Sequence, residues 1–500
     1  MTRRLGLSKT RIAMFEQCPK RLWLSVWRPE LAQEDAGMRS AFAAGHEVGA
    51  AACRQHPDGV MIDADHGFAA AAEVTARLLA SGSKRPLFEA TFAHEGVLIR
   101  ADIMEPRGGG WHLAEVKNTT GVKAYHLGDI ATQLWVMRGA GVDVRSAAVR
   151  HIDTAFTLQR EGDYAGLFRD SEVMALVEPL AESRGELVAE ARAVLDGAEP
   201  IREPGGHCSE PFTCSFQAYC GRHLPPPPRW PVTLLPGAAG KNVARALLEQ
   251  GLACLSEVPE GAITGATLAR VHSATLTGTP YLEREAIRQE TSAWAYPHTF
   301  LDFEAIQFAV PRWIGTKPYA QIPFQFSAHI REEDGSLTHA EFLSIDGSDP
   351  RRHCAEALTR LPAQGAVIAW SMSFERGRLL DLAAAFPDLA PALESLAARL
   401  VDLLPVVRRH YYHRDMRGSW SIKAVLPTLG AIGYDDLAEV KSGTDAQAGY
   451  LEAIDPATTP ERAELLRDAL LGYCKRDTEA MIAVLDALTG RGEPTGGAGC

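Results

Sequence analysis

Four consecutive prolines, Pro225 to Pro228, constrain this chain more than any other feature. Proline lacks the amide hydrogen and fixes φ, so such a run neither continues a helix nor enters a sheet interior. The chain must therefore fold on either side of it, and 500 residues is in any case too long for one ordinary core. The block follows a cysteine-rich stretch ending at Cys220, which sets a first domain at residues 1–224. From Pro231 to Trp294, leucines 247, 248, 252 and 255 stand at mostly helical spacing between Gly and Pro punctuation, predicting a helical connector within 225–296. From His298 the text changes to short apolar runs, HTFLDF, QIPFQFSAHI, AEFLSI and AVIAW. These alternate with helix-like stretches at 351–362 and from about Glu461 to Leu488. The pattern predicts an α/β domain at 297–490 with an antiparallel start. The tail 491–500, RGEPTGGAGC, has nothing to bury and is expected to be flexible.

Composition narrows the class. With 46% hydrophobic and 23% charged residues the chain is globular rather than disordered or collagen-like. No run approaches the ~18 apolar residues of a membrane span, and MTRRLGLSKT leads into polar sequence, so a soluble cytoplasmic protein is expected. Sixty-three acidic against 51 basic side chains give a net charge of −12, so any nucleic acid must be held by a local basic groove. Nine cysteines in such a chain read as thiols or metal ligands rather than disulfides.

The first cluster with chemical meaning lies on a hairpin. Residues 97–104 (VLIRADIM) and 111–117 (WHLAEVK) are strand-like, and Gly108-Gly109-Gly110 between them suits a tight reversal. A turn centred between Gly108 and Gly109 sets Asp102 opposite Glu115, with Lys117 on the face of Glu115 because side chains alternate. Two facing carboxylates with a neighbouring lysine suit a divalent cation and an activated water, the requirements of phosphodiester hydrolysis. An isolated Glu-x-Lys is more often a surface ion pair; apolar Leu113, Ala114 and Val116 around it argue for a buried site.

RADI, LAEVK and the helix DIATQLWVM together resemble the PD-(D/E)XK nuclease superfamily, in particular its RecB-like branch and the CRISPR-associated iron-sulfur exonucleases. The resemblance implies a restriction-endonuclease-like fold. It also implies Asp102 and Glu115 as ligands for Mg²⁺ or Mn²⁺, Lys117 as the water-activating group and Gln133 as a supporting residue. The family's first motif carries a metal-binding histidine on an N-terminal helix; GHEVG offers His46 or Glu47, without a clean match of offset. Alanine precedes Asp102 where the family often has proline.

Cys208, Cys214 and Cys220 form C-x5-C-x5-C, and Cys18 stands near the other end of the same domain in FEQCPKRLWL. Four thiolates suit an iron-sulfur cluster or zinc, and the spacing is not that of an independent zinc knuckle. Free buried thiols are the remaining reading. The resemblance to the RecB-like iron-sulfur nucleases, carried here by CPKR at 18–21, implies a 4Fe-4S cluster tying the two ends of the domain together. Cys53, Cys254, Cys354, Cys474 and Cys500 lack partners at ligand spacing and read as core or tail residues.

In the C-terminal domain Asp302 and Glu304 share one strand face in FLDFE, and Tyr473 and Asp477 share one helix face. Glu375 opens the helix-like run after AVIAW. These pieces resemble the DnaQ-like exonucleases of RNase H-like fold, in which four carboxylates hold two metal ions. That resemblance implies Asp302, Glu304 and Asp477 as metal ligands and Tyr473 as the residue that positions water. Glu375 stands where the family has aspartate, with Asp402 a candidate substitute.

Phosphate-binding candidates are Lys20, Arg21 and Arg28, then Arg312 and Lys317, then Arg408, Arg414, Arg417 and Lys423. Tyr411, Tyr412, His413 and Trp420 interleave with the last group, a pattern that grips unpaired strands if the rings are exposed and simply fills a core if they are not. The whole chain is similar to a bacterial family joining a RecB-like iron-sulfur nuclease domain to a DnaQ-like exonuclease domain. The expectation is a metal-dependent DNA exonuclease acting on single strands or duplex ends in repair, recombination or defence, with a helicase or defence complex as partner. The alternatives are a nucleic-acid-binding scaffold with silent centres and an RNA-processing exonuclease.

Overall fold

The computed structural model describes residues 6–33, 36–431 and 433–491, with the backbone alone for 36–43. Residues 492–500 of the expected flexible tail, Cys500 among them, lie outside the described residues. The chain is a mixed α/β protein of two compact units, Met1–Pro225 with Phe308–Ala320, and Pro226–Gln307 with Gln321–Cys500. The segment expected as a separate connector groups with the second unit, and the link between two strands of that unit, Phe308–Ala320, groups with the first. Among the described residues no helix is long and apolar enough to cross a membrane.

In the first unit a sheet is built from β1 (Leu87–His94), β2 (Val97–Arg107), β3 (Gly110–Lys117), β4 (Val144–Ile152) and β5 (Phe168–Glu172), adjacent in that order. Short strands Val60–Met61 and Leu7–Ser8 add to β1 and β2. Strands β2 and β3 form the hairpin, paired from Arg107↔Gly110 to Ile103↔Ala114. Gly108 and Gly109 sit at its tip with φ of +58° and +83°, a left-handed pair that only glycine adopts without strain. Strands β3 and β4 run parallel and therefore need a crossover, which includes α3 (Ala124–Gly139). Helices α1 (Lys9–Gln17) and α2 (Pro19–Trp27) precede the sheet; the Ser8 side chain caps α1, and Pro19 opens α2 where a missing amide hydrogen is harmless. Ile12, Phe15, Leu22, Ile130, Leu134 and Met137 of these helices bury against Ile99, Ala101, Leu113 and Val149 of the sheet.

The second unit centres on a five-stranded sheet in the order β8 (Leu337–Leu343), β7 (Ile322–Arg331), β6 (His298–Ile306), β9 (Val367–Ala369) and β10 (Leu400–Asp402). The first three are antiparallel and the last two run parallel to β6. Helices α4 (Arg284–Thr291), α5 (Met372–Ala385) and α6 (Pro460–Thr489) belong to this unit. Thr459 caps α6 and Gly490 ends it with φ of +69°. The register of β6 and β7 sets Ser327 opposite Asp302 and Gln325 opposite Glu304, with a bulge between Pro323 and Gln325. Those two partners hold α6 in place: Gln325 Nε2 donates to the Leu470 carbonyl at 2.8 Å, and Ser327 Oγ bonds Thr478 Oγ1 at 2.9 Å. With His329 Nδ1 2.8 Å from Thr478 Oγ1, a polar seam fixes the rotation of α6 about its axis.

Candidate functional sites

The β2–β3 ladder stops at Ile103↔Ala114, and the amide freed beyond it, Val116 N, donates to Asp102 Oδ2 at 2.8 Å. Asp102 thus closes the end of the hairpin and faces Glu115, as the Gly-Gly turn and period-two alternation require. Lys117 Nζ lies 2.9 Å from Glu115 Oε1 and 2.7 Å from Asp129 Oδ2. Gln133, one turn beyond Asp129 on α3, donates from Nε2 to Glu115 Oε2 at 2.7 Å. A sixth group comes from α1: Lys9 Nζ lies 2.6 Å from Glu115 Oε1. Glu115 is 1% exposed, so its charge persists only because these donors surround it. Burial alone would raise its proton affinity, yet Lys117 and Lys9, with hydrogen bonds from Lys9 and Gln133, hold the carboxyl well below the usual range. Asp102 has weaker compensation. Removal from water and the Glu115 charge push it up to about 7 against the pull of Lys9 and Lys117.

Lys9 and Asp129 are the members that sequence reading did not single out. Lys9 is 106 positions from Glu115 and carries no motif. Asp129 is four residues before Gln133 in the quoted helix, so its helical spacing was the available signal. His46 is exposed, and Glu47 pairs with Arg312 Nη2 at 3.7 Å; among the described residues neither is hydrogen-bonded to the Asp102–Glu115 group.

Cys18, Cys208, Cys214 and Cys220 are all buried and free, and the last three are gathered with Leu24 and Phe216 in one small cluster. They line a common cavity together with Lys20, Arg21 and His207. Burial pushes the Cys214 and Cys220 thiols up; Cys208 and Cys18 add to the rise at Cys214, and Cys214, Cys18 and Cys208 add to it at Cys220. Gln17 Nε2, next to Cys18, donates to the carbonyls of His207 and Phe212 at 2.8 and 2.6 Å, so both ends of the domain meet here. Four thiols and two cationic side chains thus line one cavity, while among the described residues no three of the sulfurs lie within 4.8 Å of one another.

In the second unit Asp302 and Glu304 of β6 and Asp477 of α6 each direct a carboxylate oxygen to a common point, the three oxygens lying within 4.8 Å of one another. Burial, followed by the charge of Asp477, pushes Glu304 up to about 8. Burial raises Asp477 to about 6, against hydrogen bonds from Tyr434 and Tyr473 and the charge of Lys423. Asp302 is driven well above the carboxylate range by burial and by Asp477, Glu375 and Glu304. Three carboxylates so close either hold protons or hold a cation. Tyr473 is 4% exposed, and its hydroxyl accepts from Lys423 Nζ at 3.1 Å. Lys423 also sits over the rings of Tyr434 and Tyr473, at 4.9 and 4.7 Å from their centroids.

Glu375, in the first turn of α5, is near enough to raise Asp302 but stands outside the three-oxygen set. Its Oε2 is buried with no hydrogen-bond partner among the described residues, and burial and Asp402 push it up to about 7. Asp402 ends β10 and caps the following helix by accepting from Leu404 N at 3.2 Å. Tyr434, whose hydroxyl donates to Asp477 Oδ1, had no sequence signal. Cys474, read as a plain core residue, has its Sγ 3.8 Å from Asp302 Oδ2.

The aromatic run does not offer exposed rings for stacking. Tyr411, Tyr412 and Trp420 are 2%, 0% and 4% exposed; Trp420 Nε1 donates to the Tyr411 carbonyl at 2.9 Å, and Tyr412 Oη accepts from Gly418 N at 3.0 Å. Large rings with satisfied polar tips are core material, and here that property outweighs the neighbouring positive charge.

Residues 299–421 match the model of a domain of unknown function, DUF2779, which spans the sheet bearing Asp302 and Glu304 and ends before Asp477. None of the curated proteins matches the chain.

Proposed function

We propose that the protein is a metal-dependent phosphodiester hydrolase acting on DNA ends, with a PD-(D/E)XK-type centre in the first unit and an RNase H-like, DnaQ-type exonuclease centre in the second. The observation that carries this reading is the convergence of Asp302, Glu304 and Asp477 within 4.8 Å from two different elements. Their high proton affinities express an electrostatic debt that a divalent cation relieves better than protons at neutral pH. When bound, such a cation supplies charge neutralisation for phosphate oxygens and lowers the pKa of water. The chain's own residues then have definite tasks. Tyr434 orients Asp477 by its hydrogen bond, and Lys423 keeps the Tyr473 hydroxyl in place to position water. Glu375 brings a further carboxylate to the side of Asp302, where an unpartnered oxygen is available.

In the first centre Asp102 and Glu115 supply carboxylates, Gln133 fixes one oxygen of Glu115, and Lys117 stands ready to hold a water or a scissile phosphate. Lys9 occupies the same oxygen of Glu115 as Lys117, so the pair balances the charge of the carboxylates while a cation is absent. The cysteine set is assigned to a 4Fe-4S cluster that staples the first unit, supported by four buried thiols around one cavity with Lys20 and Arg21 at its wall. Tetrahedral zinc needs its sulfurs about 3.8 Å apart, whereas no three of these lie within 4.8 Å of one another among the described residues; metal analysis with the visible spectrum separates a cluster from zinc.

The test is cleavage of end-labelled single- and double-stranded DNA with Mg²⁺ or Mn²⁺ by the wild type, Lys117→Ala, Asp302→Ala and the double variant. Retained activity in each single variant and loss in the double one is the expected result. Loss in one single variant alone assigns hydrolysis to that centre and removes it from the other. A folded, metal-loaded wild type inert on DNA and on matched RNA overturns the reading.

A further inference from the structure

A cavity of about 400 Å³ in the second unit is lined by none of the acidic triad and plays no part in the chemistry above. Arg288, Arg331 and Arg491 line it with Trp294, Tyr296 and His298. Its volume falls within the range of small-ligand sites. His298 opens β6 and stands directly opposite Arg331 in the antiparallel register, four residues from Asp302 along the strand.

Two polar groups in its wall are buried and unsatisfied. His298 and Arg331 are each 5% exposed. His298 Nε2 is 3.0 Å from the Trp294 carbonyl, an acceptor, so the ring proton is on Nε2 and Nδ1 presents a bare lone pair. That Nδ1 has no partner among the described residues, and neither has Arg331 Nε, a donor. Burial, with Arg331 and Arg491 nearby, keeps His298 below its ordinary proton affinity, consistent with Nδ1 as an acceptor. Leaving a buried donor and a buried acceptor unmade is unfavourable, and since each atom exposes less than 1 Å², a ligand with an anionic oxygen and an N–H or O–H satisfies both when the two side chains turn toward the cavity.

The other walls narrow its class. Arg331 Nη1 is held by Asp486 at 2.6 Å, which fixes the guanidinium with Nε left over. Arg288 Nε donates to the Thr489 carbonyl at 2.7 Å, which fixes a second guanidinium at the end of α6. The Tyr296 ring stacks on His298 with centroids 3.8 Å apart at 13°, and the Arg491 guanidinium lies 5.7 Å from the Tyr296 centroid. Anchored guanidiniums select phosphate, and half-buried aromatic faces select a flat ring.

We propose that this cavity is a binding site for a 5′-mononucleotide, its phosphate on Arg288, Arg331 and Arg491 and its base or sugar donating to His298 Nδ1. The site stands apart from the acidic triad and goes beyond the hydrolase reading.

Isothermal titration of the full chain in EDTA with 5′-AMP, inorganic phosphate and adenosine tests it. AMP is expected to bind saturably at millimolar concentration or below, with phosphate and adenosine each at least about tenfold weaker, because each carries only half of the recognised chemistry. Arg491→Ala, at an exposed position, and Arg288→Ala are each expected to weaken AMP about tenfold or more, with folding checked by circular dichroism. Asp302→Asn is expected to leave AMP binding unchanged, which separates this site from the acidic centre. Absence of saturable AMP binding overturns the proposal, as does phosphate binding equal to that of AMP, indifference to both arginine changes, or loss of AMP binding in Asp302→Asn.

Discussion

Glu304→Gln should stabilise the metal-free protein while weakening its response to a cation. Burial and Asp477 place the Glu304 carboxyl at about 8 in the folded chain, against an ordinary value of 4.5. The folded state therefore binds a proton that the unfolded state has already released across that window. Below pH 4.5 both states are protonated and the site carries no penalty. The penalty accumulates as pH rises toward 8 and is complete above it. Each pH unit between the two values corresponds to 1.36 kcal/mol, which gives about 5 kcal/mol as an upper bound. Side-chain relaxation and water entry reduce this to about 2–4 kcal/mol. Glutamine keeps the shape and removes the charge, so scanning calorimetry in EDTA at pH 8.5 should show the second unit of the variant melting about 5–10 °C above wild type. At pH 5 the difference should nearly vanish. Adding Mn²⁺ at pH 8.5 should raise the wild type more than the variant, since a ligand to the folded state stabilises only where it binds. Equal melting of both proteins at pH 8.5 in EDTA would refute the reasoning, and so would a gap independent of pH.

Two further consequences follow from local geometry. Cys214→Ser should remove most bound iron and the broad absorbance near about 400 nm from anaerobically purified protein, and lower the melting temperature of the first unit, because Cys18 and the 208–220 segment are then no longer tied. A colourless wild type containing zinc would replace the cluster assignment with a zinc site. Gly418 has φ of +78°, and a Cβ there would lie 1.8 Å from the Leu234 carbonyl oxygen, so Gly418→Ala should destabilise the second unit by about 3 kcal/mol or more, read from denaturant or thermal unfolding.

Local sequence rules reached some of this structure and stopped at a definite boundary. Strand alternation and the Gly108-Gly109 turn are short-range, and they suffice to set Asp102 facing Glu115 with Lys117 beside it. Period two on FLDFE and period 3.6 on the last helix likewise set Asp302 with Glu304, and Tyr473 with Asp477, on common faces. The final helix itself, expected from about Glu461 to Leu488, spans Pro460–Thr489 because proline and a capping threonine start it and Gly490 ends it. The division at the proline block is equally local, since proline excludes regular pairing wherever it stands. Chain closure decided the rest. Lys9 reaches Glu115 across 106 positions and Tyr434 reaches Asp477 across 43, separations on which no periodicity acts. Nor could sequence determine whether Tyr411, Tyr412 and Trp420 face water or core, because an aromatic ring suits either until its neighbours are placed. The charge state of each carboxylate belongs to the same class. An aspartate's proton affinity depends on which groups share its low-dielectric space, and that space exists only after each unit's own sheet and helix, α3 in the first and α6 in the second, have packed.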